Sequence, residues 1–268
     1  MENETVRQAV ETLETAVSAI QDSESFRAYL DFQSKFYRYS PSNVLLIMSQ
    51  YPDASMIAGY RSWQRMNRFV RKGEKSIRIL APLIRKDKET QEPKVFGYRA
   101  VPVFDVKQTD GQEIPTFEVP RLTSNDGEGL YDRMRQVSWD EGLLVQRSGD
   151  MFLHRMEAMG YYAPDQKKIA VRPDIAQLQA TKTLAHELGH HFGEHKTSGP
   201  DTETQAEGVS YVVLKHFGLD SGERSFPYVA TWAKDKNVLK ANLGYIGEIS
   251  KRLIMKIHPE DQSPPVEQ

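Results

Sequence analysis

Cysteine is absent from all 268 residues, which removes disulfides, thiol catalysis and every thiolate-based zinc finger in one step. Any transition metal must therefore be held by His, Asp or Glu. No apolar run approaches the ~20 residues needed to span a bilayer, so no membrane segment is expected. The first twenty residues, MENETVRQAVETLETAVSAI, are acidic and amphipathic. They lack the basic start and continuous apolar core of a secretory signal, and the expected location is the cytoplasm. An excess of either charge is also missing: 35 Lys and Arg stand against 37 Asp and Glu. That balance says little about partners until its uneven spread along the chain is considered.

What is present reads as α+β in two domains. In the first fifty residues Val6, Ala9, Val10, Leu13, Val17 and Ile20, then Phe26, Tyr29, Leu30 and Phe36, recur at helical spacing. Ser23 or Ser25 is the expected cap of a second helix, and Ser40 before Pro41 the cap and first turn of a third. A short helix around 62–67 precedes SIRILAPLIR and KVFGYRAVPVFDV, which alternate as two strands of a small antiparallel sheet. Residues 1–115 form this module. The Pro-, Gly- and Asp-rich stretch 116–128 reads as a linker. A second domain follows over 129–258, and 259–268 reads as a disordered tail. In the second domain GYYAPDQKKIAVRPD predicts a hairpin turning at 163–167. Helices over 175–191 and 201–216, the latter ending at Gly218, and two short helices near the end are also predicted.

His186-Glu187-Leu188-Gly189-His190 fits H-E-x-x-H. Residues four apart share one helical face, so both imidazoles can meet one ion, and Glu187 beside them can hold and deprotonate a metal-bound water. A catalytic zinc usually takes a third protein ligand. His195 falls one residue short of the metzincin spacing, and both His191 and His195 are poorly phased on a continuing helix, so they read as bystanders. The following helix offers Glu203 and Glu207, again four apart. The assignment is Glu203 as ligand and Glu207 as hydrogen-bond partner of a ligand's free N–H, with the reverse as its alternative. The expected architecture is zincin-like, of gluzincin type, with KKIAV as an edge strand able to hold an extended substrate. Tyr161, Tyr162 and Tyr211 are candidate oxyanion donors without an assigned role.

A second pattern lies more than a hundred residues upstream. Arg61, Arg65, Arg68, Arg71, Lys72, Lys75 and Arg78 surround a single acid, Glu74, with Tyr60, Trp63 and Phe69 interleaved. Cations neutralise phosphates and aromatic faces stack on bases, the combination used to bind single strands. The DNA-binding set is therefore Arg61, Trp63, Arg65, Arg68, Arg71, Lys72, Lys75 and Arg78.

Ser42-Asn43, Trp63, VRKGEKSIRILAP at 70–82 and VPVFDVKQT at 101–109, together with YYAPDQKKIAV, HELGHH and ETQAE, give the sequence its family likeness. It resembles the ArdC-type antirestriction proteins of mobile elements. The resemblance implies an N-terminal single-stranded-DNA-binding domain and a C-terminal zinc-peptidase-like domain related to the ImmA/IrrE metallopeptidases. It implies ligands at His186, His190 and Glu203, with Glu187 as general base and DNA contacts within 63–78. The metal expected is zinc, with manganese as the alternative. The partners expected are single-stranded DNA and a protein substrate, a DNA-bound protein being one candidate, and the implied role is protecting incoming DNA from restriction. The other reading is a DNA-binding protection protein whose metal site is structural. His191 stands where the family often has tryptophan, a departure that bears on the pocket rim.

Overall fold

The computed structural model describes residues 4–88, 90–113, 128–149, 153, 157–197, 199–219 and 226–259. They form two compact units, one of residues 4–20 and 38–113, the other of 21–37 and the described residues from 128 onward. The stretch read as a linker lies outside the described residues except for Glu128, which opens a helix, and so does the tail beyond Pro259.

In the first unit, α1 (Glu4–Ser18) buries Val6, Ala9, Leu13 and Val17, the spacing that gathers apolar side chains on one stripe. The next helix, α2 (Ser23–Lys35), belongs to the second unit. Helix α3 (Pro41–Gln50) starts where Ser40 Oγ accepts the Asn43 N–H at 3.4 Å. The chain continues through β1 (Ile57–Gly59), α4 (Tyr60–Arg65), β2 (Arg68–Val70), β3 (Ile77–Lys86), β4 (Pro93–Asp105) and β5 (Thr109–Gly111). The order β1-β4-β3 makes an antiparallel sheet, and β2 pairs with β5 in a separate ribbon.

Several residues of the family likeness prove to be structural. β3 is an outer strand, and α3 occupies its free edge. Asn43 Nδ2 donates to Leu80 O at 2.9 Å while Leu80 N–H donates to Asn43 Oδ1 at 2.9 Å. Gln50 repeats the clasp at Arg78, with both bonds at 2.9 Å. An edge whose backbone groups are satisfied in this way cannot recruit another strand. Asp105, fully buried, accepts the N–H groups of Ser55 at 2.7 Å, Met56 at 3.0 Å and Lys107 at 2.9 Å.

In the second unit, α2 is capped by Asp22 rather than by a serine. Asp22 Oδ1 accepts from Ser25 N–H at 2.9 Å, and Ser25 closes a capping box. Although α2 lies within the first segment of the sequence reading, its core residues find partners in the second unit. The Phe26 ring sits 5.0 Å from that of Phe226 and 6.0 Å from that of Trp232, and Asp31 Oδ1 accepts the Tyr211 hydroxyl at 2.8 Å.

The unit continues through α5 (Glu128–Asp140), β6 (Leu144–Arg147), β7 (Gly160–Ala163), β8 (Lys168–Val171), α6 (Gln177–Phe192), α7 (Pro200–His216), α8 (Val229–Trp232) and α9 (Lys236–Ile257). The predicted hairpin is β7–β8, with Lys167 in the left-handed region at φ 47° in its turn. β8 is not an edge strand, however. It lies between β6, which it pairs in parallel, and antiparallel β7, so both its backbone edges are engaged and it has no room for an added strand. The outer strands of this sheet are β6 and β7. The C-terminal segment is one short turn and one long helix instead of two short helices. Leu239, Leu243, Ile246, Leu253 and Ile257 keep a continuous buried stripe along α9 with no proline to break it.

Candidate metal centre

Helix α6 carries His186, Glu187 and His190, and α7 carries Glu203 and Glu207. The two helices meet at Gly189, where a Cβ would stand 3.1 Å from Ala206 Cα and 3.2 Å from Ala206 O. This close approach brings the carboxylates on either side of Ala206 to the histidines on either side of Gly189.

His186 Nε2 lies 3.1 Å from His190 Nε2 and 3.2 Å from Glu203 Oε2, and His190 Nε2 lies 3.5 Å from Glu203 Oε1. Ligand atoms of these three residues all lie within 4.8 Å of one another. Tetrahedral bonds of about 2.0–2.1 Å place donor atoms roughly 3.3–3.4 Å apart, so the three separations match the edges of a small coordination polyhedron. Without an ion, the same 3.1 Å between the two ring nitrogens suits a hydrogen bond in which one of them carries the proton. Glu207 takes the opposite edge of the first ring, its Oε2 3.2 Å from His186 Nδ1.

Glu187, next to His186 on the same helix, lies against β7. It is almost fully buried, and a Cβ at Gly160 would stand 3.5 Å from its Oε1. Burial pushes its carboxyl above the usual carboxylate range. His186 and His190 oppose that rise, Glu203 adds to it, and the Tyr162 backbone N–H draws it down a little. For His186 burial acts first to lower the pKa. The hydrogen bonds to Glu203 and Glu207, aided by the charges of Glu187 and Glu207, outweigh burial and push the pKa up to about 10.

His195 is not a bystander. α6 ends at Phe192, and Glu194 adopts the left-handed conformation at φ 55°. The reversal sets His195 Nδ1 2.9 Å from His190 Nδ1. Helical phasing missed it because the helix stops before reaching it; the Gly193 after Phe192 was the available signal. His191 is turned away, its Nδ1 3.0 Å from the Tyr162 hydroxyl. Tyr211 is committed to Asp31 and buried, and Tyr161 pairs with Lys168.

The basic segment is divided by the first unit. Trp63 has no exposed surface, and its Nε1 donates to Phe104 O at 3.0 Å, so it is a core residue that presents no face to a ligand. Arg68 ties β2 to β5 through Thr109 Oγ1 at 2.7 Å, Thr109 O at 2.8 Å and Gln112 O at 2.6 Å. Arg71 bonds Glu74 at 2.7 Å and the Lys107 carbonyl at 2.5 Å. Arg65 donates to Ser62 Oγ at 2.8 Å. Arg61, Lys72, Lys75 and Arg78 are exposed, as are Tyr60 at 48% and Phe69 at 54%. Tyr60 and Phe69, set aside in the sequence reading in favour of Trp63, are the aromatics with open faces in this segment.

The chain is thus a mixed α+β protein carrying a His-His-Glu cluster on two crossed helices. Residues 2–119 match the family model for the N-terminal domain of anti-restriction factor ArdC. Two crystal structures of the antirestriction ArdC protein from plasmid R388 share the fold. The metal-free one aligns with a TM-score of 0.51 at 20% identity, over 82% of this chain and 86% of that one. The Mn(II)-bound one aligns with a TM-score of 0.56 at 17% identity, over 93% and 99%. An uncharacterized protein of Bacillus anthracis, pXO2-81, is 25% identical across 83% of this chain; the match spans 47% of that relative, about half its length.

Proposed function

We propose that this protein is an antirestriction factor that binds single-stranded DNA through its first unit and hydrolyses peptide bonds at a metal held by the second. The observation that carries the peptidase reading is the convergence of His186, His190 and Glu203, with Glu187 next to His186 on the same helix. Zincin-like, gluzincin-type sites have this donor set, and zinc suits two imidazoles with a carboxylate. Imidazole and carboxylate ligands also accept manganese, and the Mn(II)-bound ArdC structure supports that alternative.

When bound, the ion supplies Lewis acidity that acidifies a water and polarises the scissile carbonyl. The remaining work falls to the chain's own groups. Glu187 accepts the proton of the attacking water and delivers it to the amine as the C–N bond breaks. Burial, which raises its pKa above the usual carboxylate range, favours its taking up that proton. Glu207 holds His186 by its Nδ1, leaving Nε2 for the ion. As an outer strand of its sheet, β7 can align an extended peptide beside Glu187.

For DNA, Arg61, Lys72, Lys75 and Arg78 provide phosphate contacts, and Tyr60 and Phe69 provide stacking faces. Cleavage of a protein bound to that DNA, in the cytoplasm where restriction acts, would unite the two units. No helix among the described residues is long and apolar enough to cross a membrane.

The experiment incubates metal-loaded protein and its Glu187→Gln variant with cell extract, with and without single-stranded DNA, and maps new protein N-termini by mass spectrometry. Termini made by the parent and missing with the variant, while both hold metal, are expected. Identical termini in both samples overturn the peptidase reading and leave DNA protection with a structural metal.

A further inference from the structure

Behind His190, on the side away from the candidate metal, runs a chain of hydrogen bonds whose direction can be read from its far end. Asn242 on α9 donates its Nδ2 to the backbone carbonyl of Val238 at 2.9 Å. A carbonyl can only accept, so the other end of that amide, Asn242 Oδ1, is left as an acceptor. Gln205 on α7 donates its Nε2 to Asn242 Oδ1 at 2.6 Å. Its Oε1 therefore faces His195 Nε2, 3.0 Å away, as an acceptor. Filling that bond puts the His195 proton on Nε2, where the Tyr245 hydroxyl, able to accept as well as donate, shares it as a second acceptor, and Nδ1 keeps a lone pair. That lone pair faces His190 Nδ1 at 2.9 Å, so His190 is the donor and carries its proton on Nδ1. Its Nε2 is left unprotonated, aimed at His186 and Glu203.

We infer that His195, Gln205 and Asn242 are positioning residues: a one-way relay, anchored on the Val238 carbonyl, that locks His190 in the tautomer able to ligate a metal through Nε2. The inference rests on the metal-centre reading above and deepens it. The setting supports the geometry. His195 lies stacked on Tyr245 at 5.3 Å between centroids with an interplanar angle of 8°. The Tyr245 hydroxyl, which also reaches His195 Nε2, fills the space where Gly193 lacks a side chain. The two ligand histidines are consequently held by different means. His186 leans on the carboxylate of Glu207 and His190 on a neutral imidazole, so His186 is the more electron-rich donor.

Two measurements test this on the full-length protein. Long-range ¹⁵N–¹H correlation spectra of the metal-free protein, with histidine labelled, should show opposite tautomers: Nδ1–H for His190 and Nε2–H for His195. Nε2–H at His190 overturns the relay. Titration with zinc chloride against a competing chelator should show His195→Leu weakening binding by about 10–100-fold. His195→Gln, whose amide oxygen can still accept from His190, should recover most of the loss. Equal loss in both variants, or none in the leucine variant, also overturns it. Should His195→Leu fail to fold, Gln205→Leu breaks the relay one link further out and is expected to weaken zinc in the same way, an unchanged affinity counting against the relay. If the parent protein binds no metal, the metal-centre reading fails by itself, and the tautomers still decide the relay.

Discussion

Gly189 of the H-E-x-x-H helix touches Ala206 of the next one, with 3.1 Å from the place of a missing Cβ to the Ala206 Cα. That contact sets how near Glu203 and Glu207 come to His186 and His190. A methyl at 189 meets backbone, which yields by only a few tenths of an ångström. Alanine gains up to about 1 kcal/mol of helix propensity, which offsets much of its packing cost. Gly189→Ala should therefore keep near-parental thermal stability while binding zinc more weakly. Gly189→Val, overpacked by about 1–3 kcal/mol, should lose both. Thermal denaturation with and without zinc reads the two effects separately, and a valine variant with parental zinc affinity would show that the crossing does not set the site.

Glu203 and Glu207 should be distinguishable by metal analysis after dialysis. Glu203→Ala removes an atom of the converging triad and is expected to leave the protein without stoichiometric metal. Glu207→Ala removes the partner of His186 Nδ1 and should retain stoichiometric metal at an affinity lowered by about 10–100-fold. The opposite pattern would assign the ligand to Glu207.

Metal binding should release protons. His186 in the metal-free protein has its pKa pushed from 6.5 up to about 10 by Glu203 and Glu207, against the opposing pull of burial. A histidine raised on folding contributes stability that is fully present below its unfolded pKa of 6.5 and is lost as pH rises through about 10. Metal needs the neutral ring, so apparent affinity should climb over that same window, by up to about tenfold per pH unit for one displaced proton. Calorimetric titrations in two buffers of different ionisation enthalpy would reveal the released proton; identical heats would refute it.

In the first unit, stability and DNA affinity should separate between aromatics. Trp63→Ala empties a core position and is expected to cost about 3–5 kcal/mol in chemical denaturation. Tyr60→Ala and Phe69→Ala, on exposed side chains, should leave folding nearly unchanged. Each should weaken oligonucleotide binding by about 1–3 kcal/mol if a base stacks there. Lys72→Ala should lower the logarithmic salt slope by about 0.7 per lost single-strand phosphate contact. Fluorescence anisotropy across a salt series measures both, and parental affinity in the two aromatic variants would move the DNA surface elsewhere.

The sequence by itself determined the elements whose causes are local. The four-residue spacing of His186 and His190, the Ser40-Pro41 start of α3, the alternation in β3 and β4 and the turn between β7 and β8 all follow from neighbours a few residues apart. Tertiary structure decided whatever depends on distant partners. Trp63 looks like a stacking platform in a basic stretch, yet Phe104, forty-one residues on, accepts its indole N–H. α2 follows α1 in sequence but packs with Phe226 and Trp232 of the second unit. β8 gained neighbours on both sides, which no reading of its own residues could reveal. His195 is the clearest case. Its phase excluded it only for an unbroken helix, and a left-handed Glu194 turned it back onto His190. Periodicity carries information only while the backbone repeats, and here the backbone stops repeating just before the residue that returns to touch His190.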